Sequence, residues 1–374
     1  MLGLDRAVIT TQIINFDADK LKLNILLKFG IKDDIHSNNI EKIYVNKLEN
    51  INSQFKFINW IKIIKKNGDK NSDRCKLMIE INYPKYFSST NFSLVTKQED
   101  KEKCDFIVRL ILAELFECPP GDLLLSYNEL EIADQMEVKK FSDYTNILYL
   151  VYKAFSNSFD GDSRCMFGDY SISLDRFYTT GFIFKITKGL TLKVYNKTLE
   201  NNKKNKDYKV MGGVLRSELN TTSSIIKSLL NTVDIDLITI NRVRHAVKTT
   251  FEKSIKESIK TQILKNQMEL TKRLNKINIT PRAIEVFVAE NNEWIIDDDT
   301  FNCILHKEVI KTKTKRTSER CQAMAKKKLI DLGMSNSPKR NNTKNIMRLK
   351  IFLKNLFEID IKIKQTREKE IQIF

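Results

Sequence analysis

The chain has 374 residues, 41% hydrophobic and 30% charged, with 64 Lys and Arg against 47 Asp and Glu, for a formal net charge of +17. This composition excludes a disordered chain, and the lack of any apolar run of about 18 residues excludes a transmembrane helix. Positive charge in such surplus repels itself in a compact state and points to a polyanionic partner, DNA or RNA, and not to a membrane.

From the N-terminus, residues 6–30 alternate apolar and polar in pieces, as in Leu21-Lys22-Leu23-Asn24-Ile25-Leu26-Leu27, and predict strands. Residues 34–52 are Asn-rich and read as loop. Phe55–Ile64 and Cys75–Tyr83 predict two strands joined at Asn67-Gly68, which suits a tight hairpin. Pro84 then breaks the ladder. Asp105–Cys118 predicts an amphipathic helix with Phe106, Leu110, Ala113 and Leu115 near one face, stopped by Pro119-Pro120. Leu123–Val138 predicts a strand and Phe141–Phe155 a helix. Residues 156–169 read as loop, followed by strands at Tyr170–Leu174, Gly181–Thr187 and Leu190–Tyr195. A Lys/Asn loop over 200–207 precedes a strand at Val214–Leu219.

After Ser223 the texture becomes helical, over 225–275, from Phe301 behind the cap Thr300, over Arg316–Leu332 and over Asn345–Leu356. The tail from Ile359 to Phe374 alternates and reads as a hairpin. The fold class is therefore α+β: an antiparallel-sheet domain with packed helices over 1–222, then a mainly helical basic region over 223–374.

The thiols and imidazoles argue against zinc. Six cysteines are scattered without a CxxC pair, and only three histidines occur. That pattern reads as reduced cytoplasmic cysteines, and the start lacks the features of a secretory signal.

The pattern most suggestive of chemistry is Leu192-Lys193-Val194-Tyr195-Asn196-Lys197, followed by Leu215-Arg216-Ser217-Glu218-Leu219. Tyr195 ends an alternating strand and is expected to be exposed. Arg216 and Glu218 stand two apart and share one face. A tyrosine beside lysines suits attack on a phosphodiester: a phenolate takes the 5′ phosphate while a cation stabilises the charge on phosphorus. Tyr178 competes for that role, and a structural tyrosine with a tethered hydroxyl accounts for Tyr195 equally. Glu129 and Glu131 alternate with Leu130 and Ile132, so a solvated strand face accounts for them as well as a ligand set does.

The Tyr-Asn-Lys strand followed by the Arg-x-Glu strand resembles the phage and plasmid rolling-circle replication initiators, both the filamentous-phage gene II/X type and the replication-transcription plasmid type. Asn82-Tyr83-Pro84-Lys85-Tyr86-Phe87 with Asn91, Glu129-Leu130-Glu131-Ile132 and Phe141-x-x-Tyr144 extend the resemblance over residues 1–240. It implies origin binding and nicking of one strand by a tyrosine on a sheet with a divalent metal. By residue, it implies Tyr195 as nucleophile, Lys197 as phosphate contact, Arg216 as catalytic partner, and Glu218, Glu129 and Glu131 as metal or sheet-face carboxylates. The His-x-His pair of many such enzymes is missing. Any metal is therefore expected on oxygen ligands, as suits Mg or Mn.

The charge surplus is concentrated late. Residues 301–374 hold 19 basic and 7 acidic groups, whereas residues 101–150 hold 5 and 10. Lys311, Lys313, Lys315, Arg316, Arg320, Lys326, Lys327 and Lys328 face a single acid, Glu319, and predict phosphate contacts in a helix–turn–helix-like stretch. Two functions remain: a phage or plasmid replication initiator that binds and nicks DNA, or a non-catalytic mobile-element protein. The second would be a repressor, or an inhibitor of a host nucleoprotein such as a CRISPR effector. Host replication or defence proteins are the expected protein partners.

Overall fold

The computed structural model describes residues 2–13, 17–31, 42–48, 52–65, 75–88, 92–156, 164–171, 176–204, 213–295, 298–332, 344–361, 363–365 and 371–373. Nine strands form one sheet: β1 (Gly3–Ile13), β2 (Lys42–Ile43), β3 (Ile58–Lys65), β4 (Cys75–Asn82), β5 (Leu125–Val138), β6 (Arg164–Ser171), β7 (Arg176–Thr187), β8 (Leu190–Asn196) and β9 (Gly213–Thr222). Their order is β2-β3-β4-β1-β5-β9-β8-β7-β6. The pairs β2–β3, β3–β4, β4–β1, β1–β5 and β6–β7 are antiparallel. Together with the packed helices this makes an α+β fold.

The chain divides into two compact units. The first comprises Met1–Asp134, Lys188–Leu192 and Glu218–Val247, and the second Gln135–Thr187, Lys193–Ser217 and Lys248–Phe374. Both draw on segments from each side of residue 222.

In the first unit, helices α1 (Ala18–Lys28), α2 (Tyr83–Phe87) and α3 (Gln98–Phe116) pack with one another and with β1 and β3. Leu77, Ile79 and Ile81 alternate into the core from β4, and Val108, Leu112 and Leu115 meet it from α3. A buried polar knot sits within this core. Lys101 Nζ donates to Asp105 Oδ2 at 2.6 Å and to the Ile235 carbonyl at 2.8 Å, and Tyr83 Oη donates to Asp105 Oδ1 at 2.7 Å. The hydroxyls of Tyr83 and Tyr127 lie 2.7 Å apart. Each polar side chain of this knot therefore meets a partner, as a low-dielectric interior demands.

In the second unit, α4 (Thr145–Ser156) packs on β7, with Phe155 edge-on to Phe182 and Phe184. A separate core joins the end of α7 (Ile240–Leu274) to α8 (Pro281–Asn291), α9 (Asp298–Ile310) and α10 (Lys315–Asp331), through Leu274, Phe287, Phe301, Leu305 and Leu329. Three further helices are α5 (Lys197–Lys204), α6 (Ser223–Leu230) and α11 (Lys344–Phe357). The tail hairpin forms as β10 (Ile363–Gln365) with β11 (Ile371–Ile373).

Several expectations are corrected. Residues 21–27 are helix: Asp17 accepts from Asp19 N as the cap, and Leu21, Ile25 and Leu26 bury at helical spacing. In α3 the buried face is Cys104, Val108, Ile111, Leu112 and Leu115, while Phe106 is 56% exposed. The stretch read as loop over 156–169 contains the start of β6, and 200–207 begins inside α5. The Asn67-Gly68 turn lies outside the described residues.

Candidate functional site

The face of the first unit's strands opposite the helices carries a band of charge. Its origin is a register shift in β1. Leu4 pairs with Ile132 and Arg6 with Glu131, so Asp5 is one residue extra on β1. Such a bulge lets two successive residues face the same side, where a regular strand would alternate them. Leu4 and Ala7 keep to the core while Asp5 and Arg6 both join the polar face.

Arg6 spans this face. Its Nη1 lies 3.0 Å from Glu80 Oε2 on β4, and its Nη2 lies 3.2 Å from Glu131 Oε2 on β5. Nη2 also donates to Asn220 Oδ1 on β9 at 3.4 Å. Glu80 in turn accepts from Asn59 Nδ2 at 2.9 Å. Burial works against the guanidinium's charge, but Glu131, Glu80 and Glu129 outweigh it and raise its pKa.

Asp5, Glu131 and Glu218 each offer a carboxylate oxygen, and these oxygens lie within 4.8 Å of one another. All three residues are buried. Burial, then the neighbouring charges of Glu218 and Asp5, push the Glu131 carboxyl up to about 8, with Arg6 opposing. Like charges this close in a dry setting hold a proton or a cation between them. The donor set is all oxygen and suits a hard, six-coordinate ion such as Mg or Mn, which takes a few carboxylates and completes its shell with water or phosphate.

The other predicted residues distribute as follows. Glu131 and Glu218 come together, joined by Asp5. Glu129 stays outside the cluster and is exposed. Tyr195, expected to be exposed, is buried at 4%. The reason is local: Val194 through Thr198 are all buried, so the alternation that implied a solvent face ends before Tyr195. Its hydroxyl accepts from Lys197 Nζ at 3.2 Å, and Lys193 Nζ sits 3.7 Å from its ring centroid. Lys197, itself buried, also bonds Glu200 Oε2 at 3.0 Å. Arg216 is fully buried and donates to Gln135 Oε1 at 2.9 Å. The Tyr178 side chain lies outside the described residues.

Asp5, Arg6 and Glu80 were missed in the sequence. Adjacent opposite charges inside the apolar run Leu2–Ile13 were the available signal.

The basic stretch takes the form of α9, a short turn and α10. Lys311 pairs with Glu308, while Lys313, Lys315, Arg316, Arg320 and Lys327 are exposed. Lys326 and Lys328 are half-buried. Among the described residues no helix is long and apolar enough to cross a membrane.

No family model matches the sequence, and no curated protein does. Among solved structures, the chain is similar to a rolling-circle replication initiator protein from Geobacillus stearothermophilus. Identity is 10%, the match covers 67% of this chain and 84% of that one, and the TM-score is 0.33.

Proposed function

We propose that this is a phage- or plasmid-encoded replication initiator that binds DNA and nicks one strand, with Asp5, Glu131 and Glu218 as ligands of a divalent cation. One observation carries the reading: three buried carboxylates with oxygens within 4.8 Å of one another, on a sheet face where a bulge has placed the first of them. A bound Mg or Mn would neutralise these carboxylates and the charge of a phosphodiester. Arg6 holds Glu131 and Glu80 in place. By its sequence motif Tyr195 is the candidate nucleophile, and Lys197 Nζ, which donates to its hydroxyl, would favour the phenolate form before attack. In the reaction the tyrosine hydroxyl gives up its proton to solvent, its O–P bond forms, the bond from phosphorus to the 3′ oxygen breaks, and that oxygen takes a proton from solvent and leaves as a 3′ hydroxyl.

The test is a supercoiled-plasmid nicking assay with Mg or Mn, comparing the wild type with Tyr195→Phe and Glu131→Gln. A Mn titration followed by electron paramagnetic resonance reads the ligand set without reference to activity. Covalent protein–DNA adduct in the wild type alone, and Mn binding lost in Glu131→Gln, are expected. Absence of both sinks the proposal.

The burial of Tyr195 favours a second reading, a non-catalytic mobile-element protein such as a repressor or an inhibitor docked on a host nucleoprotein. It predicts DNA or nucleoprotein binding, by gel shift or host-lysate pull-down, with no adduct under any metal.

A further inference from the structure

The helices α8, α9 and α10 form a three-helix unit around the shared core of Phe287, Phe301, Leu305 and Leu329. Four residues, 311–314, join α9 to α10. The turn is firmly built. Thr312 N and Lys313 N both donate to the Val309 carbonyl, and Thr314 Oγ1 caps α10 by accepting from Thr317 N. His306 Nδ1 on α9 and Ser318 Oγ on α10 share a 2.7 Å hydrogen bond at a fully buried serine. Two helices joined by so short a turn, with the second packed on both predecessors, make the arrangement that presents a helix to a groove.

The outward side of α10 has a consistent chemistry. Ser318, Cys321, Ala325 and Leu329 are its buried stripe. At 100° per residue the opposite ridge is Arg316, Arg320, Ala323 and Lys327, and all four are exposed. No acidic partner meets Arg316, Arg320 or Lys327 among the described residues. From Arg316 to Lys327 the ridge runs about 16 Å, and a helix with side chains matches a major groove about 12 Å wide. Ala323 leaves the middle of the ridge low, so the backbone can approach the base edges. The ridge carries no aromatic side chain, the usual stacking platform for single strands.

We propose that α10 is a recognition helix that enters the major groove of duplex DNA. Arg316 and Arg320 read base edges, and Lys313, Lys315 and Lys327 hold the phosphate backbone. The proposal deepens the DNA-binding reading by naming its partner as a specific duplex site, and it stands independently of cleavage.

The test uses the full chain with chelator present throughout, so that failure of the carboxylate-site reading leaves it untouched. A pool of duplexes with a randomised centre is selected for binding, and affinities for the selected duplex, a scrambled duplex, its single strands and a hairpin RNA are measured by fluorescence anisotropy. Enrichment of a defined site is expected. Arg316→Ala/Arg320→Ala should weaken that site roughly five- to hundredfold per arginine while leaving the scrambled duplex within about twofold. Lys313→Ala/Lys315→Ala should weaken both duplexes alike. Equal losses on both duplexes from the arginine variant, no enriched site, or tighter binding of the single strand or the RNA would each overturn the assignment. An unchanged melting temperature in the arginine variant excludes misfolding.

Discussion

The carboxylate face of the first unit and the ridge of α10 in the second are opposite answers to excess charge. On the sheet, three acids are withdrawn from water and one of them pairs with the Arg6 guanidinium, so the imbalance must be met internally by a proton or a cation. On α10, Arg316, Arg320 and Lys327 stay in water without an acidic partner among the described residues, and their imbalance is met by a partner from outside. Burial decides between them: the first arrangement shows up in stability and pH, the second in salt and affinity.

The comparison breaks most severely where a buried charge is both enclosed and balanced. Lys101→Met leaves Asp105 uncompensated in the core and should cost about 3–5 kcal/mol in urea unfolding. If the loss is small, burial does not govern charge in this unit as argued.

The next effect is pH. The Glu131 carboxyl rises from an ordinary 4.5 to about 8 in the fold. The folded chain therefore keeps a proton that the unfolded chain releases. Its contribution is complete below pH 4.5 and is lost as pH rises through 8. Melts in chelator should show stability falling over that window by up to about 1.4 kcal/mol per pH unit, and Glu131→Gln should flatten the slope. Added Mn should restore more at the alkaline end, where protons no longer compete for the carboxylates.

Arg6→Gln removes the guanidinium that Glu80 and Glu131 share and should cost about 1–3 kcal/mol, more at alkaline than at acid pH. Smallest in stability is Arg316→Ala/Arg320→Ala, expected within about 0.5 kcal/mol of the wild type by thermal melt. On non-specific duplex the same pair should lower the salt slope of binding by less than the roughly two units expected when two phosphate contacts are lost.

Much of this contrast was legible in the sequence, for reasons particular to each region. The basic helix declared itself through eight cations against Glu319. Glu131 was singled out because it alternates with Leu130 and Ile132 in the sequence, and Glu218 because it stands two residues from Arg216. Asp5 was not, because a bulge is set by the pairing of two distant strands and leaves no periodic trace in one of them. Tyr195 misled for a related reason: a residue within a stretch buried on both faces has no polar side for alternation to mark. Residues 21–27 misled because Leu-x-Leu spacing fits a short strand until the Asp17 cap is given weight.

The Asp5 bulge makes the carboxylate face depend on the count of residues as well as their kind. Replacing Asp5 by Asn keeps the side chain on the same side of the sheet and alters only its charge. Deleting either Asp5 or Arg6 restores strict alternation with Leu4 and Ala7 still in the core, but leaves one charged residue on the polar face, so the site loses its third carboxylate or its guanidinium. Over evolutionary time this segment should accept substitutions far more readily than single-residue insertions or deletions.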